Sequence, residues 1–537
     1  MHSTKTKAIL WLSIIWITLR IYPAFMGWSA TGTEVWQAHK LLDYGVQRLH
    51  GGAMSMEAWT GTVAHPEDYL YTHHPYPIFW FCTLLYYLFG IVGVATVMYL
   101  LKYAALLLCF LVLDRYFSRP AAFWASVLYA VAPGSILLDG NANSVVVAAV
   151  FWPLAVALIA LRFHRKESVT RADLLLAGAT TFIAGQVSWF AFSMAPCLVL
   201  INSRCTSFTL PSVRQALGNR VSLAFMIGGV LSCLVFIGQV AYYEPDLATL
   251  GKYVVVKAGA SSLTLPRWHL IGLIPLRITS FTGITLTFVA FLGCVCFARN
   301  RKLRNELVLG AASYFAAFAA MVLVLPFFFY TENHIYTCLI FPATVMAAML
   351  FERIGLTFRN LILLSSLAGI GMALLYASVP TISPMARFVG KTFAAHTKKT
   401  DFIFTNLKPP APPFKASDVT APGVTKTAAD RFIVFGVIEH AQLTVASNLV
   451  DESTGFQYWH FRSQPMPATL DTQLRACLKL VKTMPIIFPD QTETLADRLR
   501  SYYWYKLMKK GRRIEGNRIL SDTIDIYEIY PTAINLR

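Results

Sequence analysis

Long apolar runs punctuated by short polar connections dominate the first 380 residues. Runs near 20 residues lie at about 8–27, 93–113, 121–138, 143–162, 172–187, 188–203, 221–242, 270–298, 307–329, 335–352 and 361–380. A helix needs roughly 20 apolar residues to cross the hydrocarbon core, so the pattern predicts eleven membrane-spanning helices. The run from Pro77 to Phe89 is too short to cross and reads as a helix lying on or dipping into the outer leaflet. Before it, Val35, Ala38, Leu42, Val46 and Leu49 recur on one helical stripe, while Gln37, Lys40, Gln47 and Arg48 fall away from it. That predicts an interfacial helix over 34–49.

Beyond residue 380 the pattern changes. Prolines cluster from Lys408 to Pro413, and apolar runs shorten to strand length at Phe402–Phe404, Ile486–Phe488 and Ile524–Ile529. Helix-like stretches at Thr472–Val481 and Thr492–Met508 alternate with them. The expected architecture is an α-helical polytopic membrane domain over 1–380, with a long first outer loop at 28–92. A small extracytoplasmic α/β domain over 381–537 follows.

The basic residues orient this layout. If Pro77–Phe89 does not cross, Lys5, Lys7, Arg115, Arg119, Arg162, Arg165, Lys166, Arg171, Arg204, Arg214, Arg220, Arg299, Arg301, Lys302, Arg304, Arg353 and Arg359 all fall on the side of the N-terminus. The other side of the membrane part keeps only Arg20, Lys40, Arg48, Lys102, Lys252, Lys257, Arg267 and Arg277. The positive-inside rule therefore predicts a cytoplasmic N-terminus and an extracytoplasmic C-terminal domain.

Composition agrees: 56% of the 537 residues are hydrophobic and 14% are charged, which excludes a single soluble globular domain. The net charge of +18 resides mainly between the apolar runs, so it reads as membrane orientation and not as a nucleic-acid footprint. Nine cysteines without a CxxC pair exclude a disulfide framework and a thiolate zinc site. Lys5 and Lys7 ahead of an apolar run have the charge order of a signal peptide, but no A-x-A site follows, so the segment reads as a retained anchor. The chain has no Asn-x-Ser/Thr acceptor, which favours a bacterial inner (plasma) membrane.

Ionisable groups at membrane depth or at the outer ends of spans are costly and mark candidate chemistry. Two acids stand out. Glu34 opens the interfacial helix after the first span, and Asp139 follows the third span in LLDGNANS. Each also has an ordinary reading, Glu34 as an acid at a helix N-terminus and Asp139 as a turn residue before Gly140. Lys252, Lys257, Arg267, His269 and Arg277 gather in the outer connection between about 243 and 279, where contact with lipid headgroups is the competing explanation. Lys102 sits within a span and either snorkels to the interface or pairs with Glu34 or Asp139. His73, His74 and His334 lack the spacing of a zinc site, so no metal or other cofactor is called for, although a divalent ion is not excluded.

The order of these features carries a resemblance. An acid after the first span, an amphipathic helix, the segment Tyr71-Thr-His-His-Pro-Tyr-Pro77, a basic turn and a span ending in Ala132-Pro133-Gly134 before an acidic loop follow one another. With Asn333-His334-Ile-Tyr336 and Leu339-Ile-Phe-Pro342, the chain resembles the GT-C glycosyltransferases, in the branch of protein O-mannosyltransferases and lipid A aminoarabinose transferases. It departs from them in two places. Thr33-Glu34 stands where many relatives have an acidic pair, and His74-Pro75-Tyr76-Pro77 stands where they have His-Pro-Pro.

The resemblance implies transfer of a sugar from a polyprenyl-phosphate donor to a glycan, lipid or protein acceptor on the extracytoplasmic side, with inversion. Glu34 would be the base, Asp139 a second site acid, and His73, His74, Lys102, His334 and Tyr336 substrate contacts. A desolvated carboxylate can take the acceptor's proton, and a departing lipid phosphate needs fixed positive charge. Two other classes compete. A transporter or lipid flippase tends to show paired repeats, which are not visible here; a membrane-anchored binding or sensory protein would not require the acid-bearing first loop.

Overall fold

The computed structural model describes residues 2–25, 74–166, 168–206, 209–243, 267–299, 305–331 and 333–354, isolated positions between 38 and 52 and between 247 and 255, and five strands beyond residue 400. The chain divides into two compact units. One comprises Met1–Val35, Thr72–Ser378 and Arg500–Gly511; the other comprises Trp36–Tyr71, Val379–Leu499 and Arg512–Arg537.

The described part of the first unit is helical: α1 (His2–Phe25), α2 (Pro77–Tyr116), α3 (Arg119–Val131), α4 (Pro133–Leu138), α5 (Ser144–Leu161), α6 (Arg171–Val187), α7 (Met194–Asn202), α8 (Leu210–Gly218), α9 (Arg220–Tyr243), α10 (Arg267–Thr282), α11 (Ile284–Arg299), α12 (Glu306–Val324), α13 (Pro326–Thr331) and α14 (Ile340–Ile354). Short 3-10 turns at Phe163–Arg165, Trp189–Ser193 and Asn333–Leu339 join some of them. Among the described residues, five segments are long and apolar enough to cross a membrane: Gly93–Tyr116, Ser144–Arg165, Arg220–Tyr243, Glu306–Val324 and His334–Ile354. The protein is an integral membrane protein, and exposed apolar residues such as Leu223, Ile227, Val230 and Leu234 along α9 suit a lipid surround.

Local sequence explains the ends. Pro77 sits at the start of α2, where its missing N–H costs nothing. Asn143 caps α5 by accepting from the Val145 and Val146 amides at 3.0 and 3.4 Å. Thr170 and Asp173 form a capping box at α6, and Asp173 also binds Arg162 and Lys166 at 2.8 and 2.7 Å. Helix α6 packs on α9 through small residues: a Cβ added to Gly228 would stand 2.1 Å from the Gly178 carbonyl oxygen. Without a hydrophobic drive between helices in lipid, such close backbone approach supplies the packing energy.

Polar contacts distinguish the two ends of the bundle. At the end where α1 begins, Lys5 lies 3.5 Å from Asp114, Arg119 binds Asp114 at 2.9 Å, and the Ser118 amide donates to Glu352 at 2.8 Å. Helices α4, α10 and α13 and the turn Asn333–Leu339 pack together at the opposite end.

Several expected elements are corrected. The run 270–298 is not one span, because Gly283 adopts φ 85° and separates α10 from α11. This left-handed conformation is accessible to glycine, and it turns the chain beside Pro133. Pro77–Phe89, by contrast, is a short apolar helix as expected: the break at Gly90 (φ 64°) within α2 sets it off from the span Gly93–Tyr116. The runs 121–138 and 307–329 are each interrupted before a proline, Pro133 and Pro326, and 188–203 begins as a 3-10 turn. Only isolated positions of the interfacial helix expected over 34–49 are described, with Ala38, Leu41 and Leu42 helical and Gly45 at φ 81°, and the span 361–380 lies outside the described residues.

The second unit contains a mixed five-stranded sheet in the order β3-β1-β2-β5-β4, built from β1 (Phe402–Thr405), β2 (Phe432–Gly436), β3 (Thr444–Ala446), β4 (Leu478–Pro485) and β5 (Thr523–Ile529). Strands β1 and β2 are parallel, with Ile403 opposite Ile433, and the other pairs are antiparallel. The end of the expected helix Thr472–Val481 is therefore strand. Leu478 and Leu480 pair with Ile529 and Tyr527, and that pairing outweighs the local helical pattern. Ile486–Phe488 and Thr492–Met508 lie outside the described residues.

Candidate functional site

The site is built where apolar helices break. Pro133 and Gly134 open α4, and a Cβ on Gly134 would stand 2.9 Å from the Phe281 carbonyl oxygen, so α4 and the end of α10 are in direct backbone contact. The ring of Phe281 lies 5.9 Å from that of Tyr336 in the turn Asn333–Leu339. Cys338, from the same turn, points at the Val145 carbonyl at 3.8 Å, which ties the turn to the start of α5. Three segments distant in sequence thus form one layer.

Two groups of charged or polar side chains occupy this end. In the first, Arg277 of α10 is 5% exposed, and its charge acts on Tyr336, which is fully buried. The Tyr336 hydroxyl donates to the Phe329 carbonyl at 2.6 Å, which fixes its ring. Thr337 donates to the His334 carbonyl at 2.7 Å and holds the start of the same turn.

The second group surrounds Asp139. Nε and one terminal nitrogen of Arg20 each stand 2.8 Å from Asp139 Oδ2. The remaining guanidinium donors reach the Ala130 carbonyl at 2.8 Å and Ser135 Oγ at 2.9 Å. Ser135 also donates to Asp139 at 3.0 Å, and Arg20 lies over the Trp16 ring at 5.1 Å. Lys102 donates to the Val146 carbonyl, is 6% exposed and feels the Asp139 charge, so it stays inside and does not snorkel outward. The Asp139 carboxylate is thus held by a guanidinium and a hydroxyl, which fix its orientation.

His74 precedes α2, and its carbonyl accepts from Gln239 of α9 at 3.4 Å. Of the other expected site residues, Glu34, His73, Lys252 and Lys257 lie outside the described residues. Arg267 and His269 belong to the first turn of α10, whose backbone alone is described there. Arg277, His334, Tyr336, Asp139 and Lys102 come to the same end of the bundle. Sequence reasoning missed Arg20 and Ser135 as partners of Asp139. The signal for Arg20 was present, as a lone cation interrupting an apolar run. Among the described residues, no group of three or more His, Cys, Asp or Glu is arranged to hold a metal ion.

No family model and no curated protein matches the chain. Solved structures overlay on it in part. ArnT from Cupriavidus metallidurans bound to undecaprenyl phosphate is 12% identical with a TM-score of 0.45, over 74% of this chain and 66% of that one. The same protein in the apo state gives 13% and 0.43, with the same coverage. The apo oligosaccharyltransferase of Archaeoglobus fulgidus gives 14% and 0.41, over 69% of this chain and 54% of that one. The chain thus spans less than two thirds of the length of each.

Proposed function

We propose that the protein is an integral membrane glycosyltransferase of the GT-C type, moving a sugar from a polyprenyl-phosphate donor to an acceptor on the extracytoplasmic side. The observation that carries this reading is the burial of Arg277 beside Tyr336, in the layer of short helices at the end of the bundle opposite the start of α1. The motif segments quoted from the sequence support it by their order along the chain. A fixed guanidinium in a water-poor layer suits a phosphate that must leave as an anion.

In this reading Glu34 accepts the proton of the acceptor hydroxyl as its oxygen attacks the anomeric carbon from the face opposite the phosphate. The C–O bond to the phosphate breaks, and the configuration inverts. Arg277 receives the departing phosphate, aided by Lys252, Lys257, Arg267 and His269 from the same connection. His73, His74, Lys102, His334 and Tyr336 shape the substrate pocket, and Asp139 orients it. The test is incubation of the purified protein with a panel of radiolabelled polyprenyl-phosphate sugars. Release of the free lipid phosphate is expected with at least one donor. A panel in which none binds or turns over moves the assignment to a transporter.

A further inference from the structure

Arg20 is spread over three points of a chain stretch that begins 110 residues away. Its donors meet the Ala130 carbonyl at the end of α3, Ser135 inside α4 and the carboxylate of Asp139 just after α4. Between those points the chain breaks at Ala132-Pro133, where the helix loses its continuous ladder. Backbone bonds hold α4 itself: Ser135 and Ile136 donate their amides to the Ala132 carbonyl, and Asp139 donates its amide to the Ser135 carbonyl. Trp16, one turn earlier in α1, covers the open face of the guanidinium. Residues 139–143 continue from this anchored point into the cap of α5, and Ala142 within them is fully buried.

We propose that Arg20 is a positioning residue: its guanidinium locks the α3–α4 break and the loop 139–143 against the end of α1, with Asp139 serving as the anchor of that lock. The catalytic consequence rests on the glycosyltransferase reading; the anchoring itself does not. In sequence α1 is followed by the expected first outer loop with Glu34, so under the glycosyltransferase reading the lock bears on the second loop and on the end of the helix that precedes Glu34. Geometry favours a guanidinium for this task. Lysine keeps the charge but lacks the planar fork that can reach a carboxylate, a hydroxyl and a carbonyl together.

The experiment places a cysteine at Ala142→Cys and follows its reaction with N-ethylmaleimide in detergent-solubilised full-length protein, resolved by site with mass spectrometry. With Arg20 present the thiol is expected to be protected. Arg20→Met is expected to raise its labelling rate at least tenfold while cooperative thermal unfolding persists, and Arg20→Lys to give an intermediate rate. Should Arg20→Met fail to fold, the apolar pair Arg20→Met with Asp139→Leu removes both charges and serves in its place. An unchanged labelling rate in the variant that folds overturns the anchor.

With a donor that turns over, Arg20→Met is further expected to lower kcat at least tenfold at unchanged donor KM, with partial recovery in Arg20→Lys. An unchanged kcat in a protein whose loop has loosened overturns the positioning role. Loss of protection at Ala142→Cys in a protein that turns over no donor supports the anchor and counts against the glycosyltransferase reading alone.

Discussion

Arg20 and Asp139, 119 residues apart in sequence, form an ion pair whose two side chains are each only 3% exposed. Two charges withdrawn from water in this way are costly singly and tolerable together. The pair therefore joins the end of the first helix to the loop after α4.

Removing one partner should be worse than removing both. Asp139→Asn leaves the Arg20 charge buried and uncompensated, a loss of about 3–5 kcal/mol. Thermal unfolding in detergent should show a marked drop for Asp139→Asn and a smaller one for Arg20→Met with Asp139→Leu. A drop in the double variant equal to the sum of the drops for Arg20→Met and Asp139→Leu alone would mean that the pair is not coupled.

Arg277 should bind the lipid phosphate. Arg277→Gln is expected to weaken polyprenyl-phosphate binding by about tenfold or more, since a charge-assisted hydrogen bond is worth roughly twice a neutral one. Tyr336→Phe, which leaves the Phe329 carbonyl without its donor, should cost about 1–3 kcal/mol of stability and act on binding indirectly. Isothermal titration or scintillation proximity with the lipid phosphate alone distinguishes the two. Unchanged affinity in Arg277→Gln would return this residue to ordinary headgroup contact.

The distribution of Lys and Arg predicts an extracytoplasmic C-terminal domain. Cysteines introduced between residues 400 and 530 should react with a membrane-impermeant maleimide applied outside intact cells, and those near Arg119 or Arg204 only after permeabilisation. The reverse pattern would put every proposed site residue on the wrong side.

Much of the helical layout was legible because a spanning helix announces itself by length and apolar content, as Ser144–Arg165 and Arg220–Tyr243 do. The breaks were less so. Gly283 interrupts a run that is apolar on both sides, and hydropathy alone does not register a single residue at φ 85°. Arg20 was visible as a lone charge, but its partner is fixed by tertiary packing across 119 residues, which no local pattern encodes. Strand β4 was mistaken for the same reason: Leu478–Val481 has both helical and alternating character, and β5 decides between them.

Turnover by Glu34→Gln tests the account most directly. The substitution keeps the side chain's shape and hydrogen-bonding capacity but removes its ability to take a proton at neutral pH. With a polyprenyl-phosphate sugar that the wild-type protein uses, kcat is predicted to fall roughly 10²-fold or more while donor binding persists, the usual contribution of a general base. Near-normal turnover in Glu34→Gln would contradict the account, and if Asp139→Asn were inactive while still folded, the role of base would pass to Asp139.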